Sequence, residues 1–211
     1  HSENNKWIAT AIMWDPVNAL IQSFTRTKLN NQDEFRKMMD IRTNSSNNTV
    51  YADALGNIAY YHGNFIPVRN TDFDYTKPVD GSNPATDWKG LHELEDNIFV
   101  KNPPTHWIQN CNSTPFTVSG SSSPIKSNYP VYMAPDGENF RDLNAVRLFS
   151  NTTKMDLNDL IHLGYDRRLT AFELLIPALT KAYDAQPRPE LKALVDTLSA
   201  WNYEADVNSI A

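Results

Sequence analysis

The densest group of polar side chains in the sequence runs from Gln109 to Pro115 and reads Gln-Asn-Cys-Asn-Ser-Thr-Pro. In an extended segment side chains alternate, so Asn110 and Asn112 would project to one face while Cys111 points to the other. An asparagine amide is a neutral donor that can hold a developing oxyanion without an ion pair, and losing one such donor typically costs about 10²–10³ in rate. The alternative is that these amides only satisfy backbone groups at a strand end, and spacing does not decide between the two.

A cysteine hydrolase is the sharpest different mechanism, with Cys111 as nucleophile and His106 or His62 as base. His106 lies five positions from Cys111, which puts the two on opposite faces of an extended strand and argues against the pair. The histidines His62, His92, His106 and His162 have no recognisable metal-ligand spacing. Asp72, Asp74 and Asp80 crowd one loop, but the loop lacks the glycine and glutamate of an EF-hand. We therefore predict no metal site and no cofactor from the residues.

Composition and charge exclude several classes of protein. The chain has 211 residues, 40% hydrophobic content and a net charge of −6, without a dense Lys/Arg block, so a nucleic-acid partner is not expected. Its longest apolar runs are far shorter than the roughly 20 residues of a membrane-spanning helix, so no membrane partner is expected either. Cys111 is the only cysteine in the sequence, so an intrachain disulfide is excluded.

Helices are predicted at both ends of the chain. Asp15 as N-cap and Pro16 at the first position begin a helix with one apolar face, formed by Val17, Leu20, Ile21 and Phe24. Asn31 with Glu34 resembles a capping box for a second helix, whose apolar stripe is Phe35, Met38 and Met39. In the C-terminal part the predicted starts are Asp156, a box of Thr170 with Glu173, and Pro189. We interpret the stripe Phe172, Leu175, Ile176 and Leu179 as core.

Strands are predicted between these helical parts. Residues 49–53 and 58–62 flank a turn with Gly56 and Asn57, which indicates a hairpin. A long excursion of about 63–105 follows, then a strand at 106–112 and a Ser-rich surface loop at 117–127. The aromatic side chains of Trp7, Trp14 and Phe65 could line a pocket, or they could serve as packing residues. Helices, then strands, then helices indicate an α+β fold.

Three segments carry a family resemblance through their order and spacing. They are the hairpin with Tyr51-Ala52-Asp53 and Gly56-Asn57-Ile58, the turn Trp88-Lys89-Gly90, and the segment Asn110-Cys111-Asn112-Ser113-Thr114-Pro115. Together they resemble the penicillin amidase (penicillin acylase) family of N-terminal nucleophile hydrolases, which includes acylases of acyl-homoserine lactones and lipopeptides. The resemblance runs from about Trp7 to the C-terminus and implies a partial αββα sandwich with a helical C-terminal part.

This resemblance implies a mechanism and two site residues. In the family, autocatalytic cleavage exposes an N-terminal Ser, less often Cys or Thr, whose α-amine is the general base; an α-amine with a pKa of about 8 can serve this role without a histidine. By this likeness Asn112 is the side chain that stabilises the oxyanion. Arg141 stands where the family often has an arginine that supports the catalytic asparagine, although a solvated cation at a helix start is an equal alternative.

The same resemblance implies that residues 1–211 are an internal fragment of the catalytic β-subunit. We divide it into a helical part (1–45), a hairpin and strands (46–115), and a loop with helices (116–211). Residue 1 is His, so we expect the nucleophile to lie upstream and the chain alone to be inactive. Expected partners are a small acyl-amide substrate and the remaining α- and β-subunit segments of the same precursor. The family implies a periplasmic or secreted protein and leaves structural calcium open. A non-catalytic module that binds acyl groups is the alternative function.

Overall fold

The computed structural model of the chain describes residues 2–3 and 6–209. His1, the residue that does not match a nucleophile, lies outside the described residues, together with 4, 5, 210 and 211. The chain divides into two compact units, of which the first ends at Gly137 and the second begins at Glu138. Its mixture of helices and strands agrees with the α+β prediction. None of the helices within the described ranges combines the length and the apolar character needed to cross a bilayer.

Two capped helices open the first unit. Helix α1 (Pro16–Thr25) begins after Asp15, whose carboxylate accepts a hydrogen bond from the backbone N–H of Asn18, as predicted. Helix α2 (Gln32–Met39) begins after Asn31, whose side chain accepts from the N–H of Glu34 at 2.9 Å. The return bond of the predicted capping box is displaced by one residue, because the Glu34 carboxylate accepts from the N–H of Asn30.

The two helices differ in what their apolar faces contact. Phe35, Met38 and Met39 of α2 are buried in a cluster with Ala59, Tyr61 and Leu94. The predicted burial of the α1 face is wrong: Val17 is 66%, Leu20 72%, Ile21 47% and Phe24 67% exposed. Helical periodicity identifies a face that can be buried, but no other part of the described chain covers this one. In this helix Gln22 is buried instead, and its side-chain oxygen accepts from the backbone N–H and the hydroxyl of Thr43.

A three-stranded antiparallel sheet forms the middle of the first unit. Short strands β1 (Ser2–Glu3) and β2 (Lys6–Trp7) pair with each other, and the sheet proper has the order β3 (Thr49–Ala52), β4 (Ile58–Tyr61), β5 (Phe99–Lys101). The predicted hairpin is confirmed as β3 and β4, with Gly56 at φ 86° in its turn. Strand β5 comes from the end of the segment that we interpreted as a long excursion. Both faces of β4 are buried, since Tyr61 packs on α2 and Tyr60 packs with Val100 and Val118.

The strand predicted at 106–112 is wrong. His106 and Asn112 have φ values of 60° and 55°, which no strand residue adopts, and the N–H of Gln109 donates to the carbonyl of Val118 instead of to a neighbouring strand. The Ser-rich segment after it is not simply a surface loop, because Val118 and Ser119 are fully buried. The Ser119 hydroxyl donates to the carbonyl of Trp107 at 2.8 Å, which satisfies this polar group in the interior.

The second unit is helical, as predicted. It contains α3 (Phe140–Ser150), α4 (Leu157–Gly164), α5 (Phe172–Ala185), a 3₁₀ turn (Pro189–Leu191) and α6 (Lys192–Ser199). Asp156 forms a complete capping box with Asp159 at the start of α4. The predicted box at α5 is wrong, because the N-cap is Ala171 and the Glu173 carboxylate pairs with Arg147 and Arg168 instead of with Thr170.

Only part of the predicted α5 stripe is core. Ile176 is buried at 5% exposure, and α5 packs against α6, where Val195 is buried. Phe172 makes an edge-to-face contact with Trp201 at 5.1 Å between ring centroids. Leu175 and Leu179, in contrast, are 54% and 42% exposed. The core of this unit is therefore thinner than the apolar periodicity indicates.

Candidate active site

Asn112 lies at the tip of a bend between two anchored ends. On one side the N–H of Gln109 binds the carbonyl of Val118 at 2.8 Å, and on the other the N–H of Thr114 binds the carbonyl of Gly137 at 3.1 Å. Ser113 and Thr114 are buried, whereas Asn112 is exposed and has a left-handed φ of 55°. Asparagine is one of the few non-glycine residues that adopt this conformation at low cost. The sequence thus forms a fixed corner that presents residue 112 at the surface.

A pocket of about 460 Å³ opens in front of this corner, and all of its lining belongs to the first unit. Asn110 and Asn112 both line it, whereas Cys111 does not. The other lining residues come from 45–48, from within 62–69, and from within 132–136. Asn110 and Asn112 therefore lie on the same side, as the alternation of an extended strand predicted. The cause is a bend in the chain and not a strand.

The rim segment 44–48, most of which lines the pocket, is tied to the last residue of α2 through a buried asparagine. Asn64 is fully buried; its side-chain oxygen accepts from the N–H of Asn44 at 2.6 Å, and its amide nitrogen donates to the carbonyl of Met39 at 2.6 Å. Asn44 in turn holds Asn47 through two hydrogen bonds of 3.0 and 2.7 Å. The side-chain amide nitrogen of Asn48 donates to the side-chain oxygen of Asn110 at 3.4 Å, and both residues line the pocket. The rim is held by short, mutually supporting bonds.

His62 lies directly after β4, lines the pocket and has a partner at each ring nitrogen. Its Nδ1 lies 3.1 Å from the hydroxyl of Tyr60 and its Nε2 lies 3.1 Å from the carbonyl of Met133. A carbonyl only accepts, so Nε2 carries the proton and Nδ1 accepts from Tyr60. Burial lowers the pKa of His62, against weaker opposing effects of the Met133 carbonyl and the Asp136 carboxylate. With both nitrogens engaged, this side chain is a structural wall and not a general base.

Arg69 also lines the pocket and lies among aromatic rings. Its guanidinium carbon lies 5.3 Å from the ring centre of Tyr75 and 5.7 Å from those of Trp88 and Tyr132. Tyr132 is itself oriented, because its hydroxyl lies 2.9 Å from Nε2 of His92 and accepts from the N–H of Arg69. The segment pairs with the Trp88-Lys89-Gly90 turn, where the N–H of Val68 donates to the carbonyl of Gly90. This motif therefore supports the segment that contains Arg69, although residues 88–90 do not themselves line the pocket.

Arg141 lies in the second unit, at the start of α3. Its backbone N–H donates to the side chain of the N-cap Asn139 at 3.0 Å, and the residue is exposed. Asp142 beside it is fully buried. The position is the helix start that the sequence indicated, and the supporting role of Arg141 toward Asn112 stays a prediction.

The alternative chemistries find little support in the described residues. Within 2–3 and 6–209, the pocket lining includes no cysteine, and its histidine is engaged at both nitrogens. In the same ranges, no cluster of three or more His, Cys, Asp or Glu residues could hold a metal ion. Asp74 and Asp80 each accept hydrogen bonds within their own turns, from Thr76 and Ser82, and these bonds lower the pKa of both carboxyls.

Sequence reasoning missed the charged and hydroxyl-rich parts of the lining. Arg69, Tyr132, Ser45 and Ser46 were not singled out, whereas Phe65, for which the sequence left pocket and packing roles open, does line the pocket. Trp7 and Trp14, named with it, are 86% and 83% exposed and belong neither to the pocket nor to the core. An isolated arginine just before a loop rich in aromatic residues was the available signal for the ring contacts.

The chain is similar to known proteins in family, sequence and fold. The penicillin amidase family model matches residues 3–211. A penicillin G acylase of Escherichia coli is 43% identical over 68 residues, which is 32% of this chain and 8% of that protein. The structure of a thermostable penicillin G acylase from Alcaligenes faecalis superimposes with a TM-score of 0.68 at 22% identity over 92% of this chain. The chain corresponds to only 34% of that structure's chain. The family match over nearly the whole length shows that the chain belongs to the penicillin amidase family.

Proposed function

We propose that this chain is part of an acylase that hydrolyses a linear amide and releases an acyl group and an amine. The observation that carries the proposal is the position of Asn112, an exposed amide held at a rigid corner in the wall of a 460 Å³ pocket, in a chain of the penicillin amidase family. A pocket of this size suits a small ligand. Penicillin, an N-acyl-homoserine lactone or a related acyl-amide is the substrate class.

The proposed mechanism divides hydrolysis into two acyl-transfer steps. The hydroxyl of an N-terminal Ser attacks the amide carbonyl carbon, and its proton passes to its own α-amine and then to the leaving amine. Water attacks the resulting ester in the same way and releases the acid. Each tetrahedral intermediate carries a negative oxygen, which the Asn112 side-chain N–H and one backbone N–H stabilise by donating hydrogen bonds. Arg141 supports Asn112 in the assembled enzyme.

The remaining features of the proposal concern the whole protein, of which this chain represents about a third when measured against the structural relative. The nucleophile lies in the part upstream of this chain, and the completed αββα sandwich requires the other α- and β-subunit segments of a processed precursor. The protein is periplasmic or secreted, and structural calcium remains a proposal for the full-length protein. This chain alone has no acylase activity.

A binding module without catalysis is the second candidate, because the pocket lining would hold an acyl group whether or not a nucleophile is present. Only the acylase forms a covalent acyl-enzyme intermediate, and this intermediate distinguishes the two functions. In the full-length processed protein, mixing with a chromogenic amide such as phenylacetyl-nitroanilide should give a burst of released amine and a mass increase of one acyl group on the N-terminal Ser. Binding of the amide without release, under conditions where the N-terminus is exposed, would favour the binding module. The chain alone, as matched control, should release nothing.

A further inference from the structure

Arg69 carries a positive charge in surroundings that do not neutralise it. Three aromatic rings lie within 5.3–5.7 Å of its guanidinium carbon, and its Nε is buried without a hydrogen-bond partner. Within residues 2–3 and 6–209, the ion pairs are formed by other arginines and by lysines, and no carboxylate oxygen lies within 4.0 Å of a side-chain nitrogen of Arg69. Ring faces attract a cation, but they replace only part of its lost hydration.

The position of this charge distinguishes it from the two other arginines that lie over a ring, Arg36 and Arg168, both of which pair with a glutamate. Arg36 also lies over an aromatic ring, that of Phe99 at 4.5 Å, but it pairs with Glu95 at 3.0 Å and does not line the pocket. Arg69 lines the pocket that contains Asn112 and has no such partner. A half-buried guanidinium with donors beside an open cavity is a receptor for an anion, and its planar fork fits a carboxylate through two parallel hydrogen bonds.

We propose that Arg69 is a specificity-determining residue that binds a carboxylate on the substrate, so the preferred amides carry a negative charge on the acyl or the amine part. This inference rests on the proposed function, because it assigns the substrate class of the same pocket. Tyr132 and His92 act as positioning residues, since the Tyr132 hydroxyl joins His92 and the Arg69 backbone. The other charged group of the lining is Asp136, which makes no ion pair with Arg69 and whose charge acts on the His62 side. The carboxylate is therefore expected on the Arg69 side of the cavity.

The experiment compares matched substrates in the full-length processed enzyme. One pair differs at the acyl end, glutaryl anilide against its terminal carboxamide, and one differs at the amine end, phenylacetyl 3-aminobenzoate against phenylacetyl 3-aminobenzamide. The measured quantity is the ratio of kcat/KM for the charged to the neutral member of each pair. We expect a ratio of at least about 10 in one pair, because hydrogen bonds to charged groups contribute roughly 1.5–3 kcal/mol. Arg69→Gln should reduce that ratio to about 1 through KM, Arg69→Lys should retain part of it, and Arg36→Gln should leave it unchanged.

Several results would overturn the inference. A wild-type ratio near 1 in both pairs would show that the pocket does not select a substrate with a negative charge. An unchanged ratio in Arg69→Gln and Arg69→Lys would show that the charge preference arises elsewhere. If no amide is hydrolysed, the proposed function fails, and the inference is decided by calorimetric binding of the same four compounds: tighter binding of a charged member, lost in Arg69→Gln, supports it, and equal binding refutes it.

Discussion

The polar side chains of the pocket are mostly neutral amides and hydroxyls held in place by their neighbours. Asn64 fixes the rim through two bonds of 2.6 Å, and the corner at Asn112 is fixed from both sides by backbone bonds. Such preorganisation matters for catalysis, because donors that are already oriented need no rearrangement when negative charge develops. At this scale the sequence predicted the residue types, since Asn110 and Asn112 line one pocket. It did not predict the reason, because a left-handed φ at Asn112 depends on tertiary anchoring at Gly137 and Val118.

His62 provides a test of the electrostatics of the pocket wall. Burial lowers its folded-state pKa below the usual value, so below pH of about 6.5 the unfolded state binds more protons than the folded state. The stability that neutral His62 contributes is complete above that pH and is lost as the pH falls toward the folded-state pKa. We expect the free energy of unfolding of the full-length protein, measured in urea, to fall as the pH is lowered from 7 to below about 6.5. The free energy of unfolding of the His62→Gln variant should fall less over the same pH range. An equal pH dependence in both proteins would contradict a buried neutral histidine.

Hairpin β3–β4 and the loop segment beside it are the elements that position the pocket, and each depends on a turn glycine. Gly56 has φ 86° in the hairpin turn, where the Asp53 carboxylate accepts from the N–H groups of Leu55 and Asn57. Gly90 has φ 89°, and its carbonyl accepts from the N–H of Val68 in the Arg69 segment. Only glycine adopts these conformations without steric cost. The turn motifs recognised in the sequence are therefore structural supports of the site.

Alanine substitutions at these glycines separate backbone strain from crowding. No atom lies within 4 Å of a Cβ built at Gly56, Gly90 or Gly81, but only the first two have positive φ. We expect Gly56→Ala and Gly90→Ala each to destabilise the protein by roughly 1–2 kcal/mol. Gly81→Ala is the matched control and should be neutral or slightly stabilising. Thermal unfolding measures all three, and a loss in Gly81→Ala as large as in Gly56→Ala would show that conformation is not the cause.

Element prediction succeeded where local sequence determines structure and failed where distant contacts do. The caps Asp15, Asn31 and Asp156 and the hairpin turn at Gly56 involve bonds between residues close in sequence, so they are readable from it. The segment 106–112 has strand-like composition, but its hydrogen bond at Gln109 goes to Val118 and not to a strand. Strand β5 was missed for the converse reason, since its pairing with β4 is non-local.

At the scale of the whole molecule, large apolar faces are exposed in this chain. Leu20 and Phe24 of α1, Leu160 of α4 and Leu174 of α5 are exposed, although their helices have clear apolar periodicity. Contiguous exposed apolar surface marks an interaction site in soluble proteins. The chain spans about a third of the structural relative's chain, so we interpret the α1 face as the surface that other segments of the full-length protein cover. Periodicity located the apolar face of α1, but the predicted burial of that face is wrong within the described chain.

Charged substitutions on α1 test this interpretation. The double variant Leu20→Asp, Phe24→Asp should leave the unfolding temperature of the chain alone almost unchanged, because both side chains are already exposed. In the full-length protein it should be strongly destabilising, since burying each such side chain contributes about 1.5–3 kcal/mol. Ile176→Asp is the control that should unfold the chain alone, because Ile176 is 5% exposed. Equal effects of the double variant in both forms would show that the α1 face is not covered.

The amide of Asn112 is the central claim, and its removal in the full-length enzyme tests it most directly. Asn112→Gly is the sharpest variant, because glycine accepts the φ of 55° and the change removes the amide without backbone strain. We predict a fall in kcat of roughly 10²–10³-fold with KM changed only a few-fold. Asn110→Ala, which alters the same pocket wall, should cause a much smaller loss. Turnover by Asn112→Gly at the wild-type kcat would contradict the account.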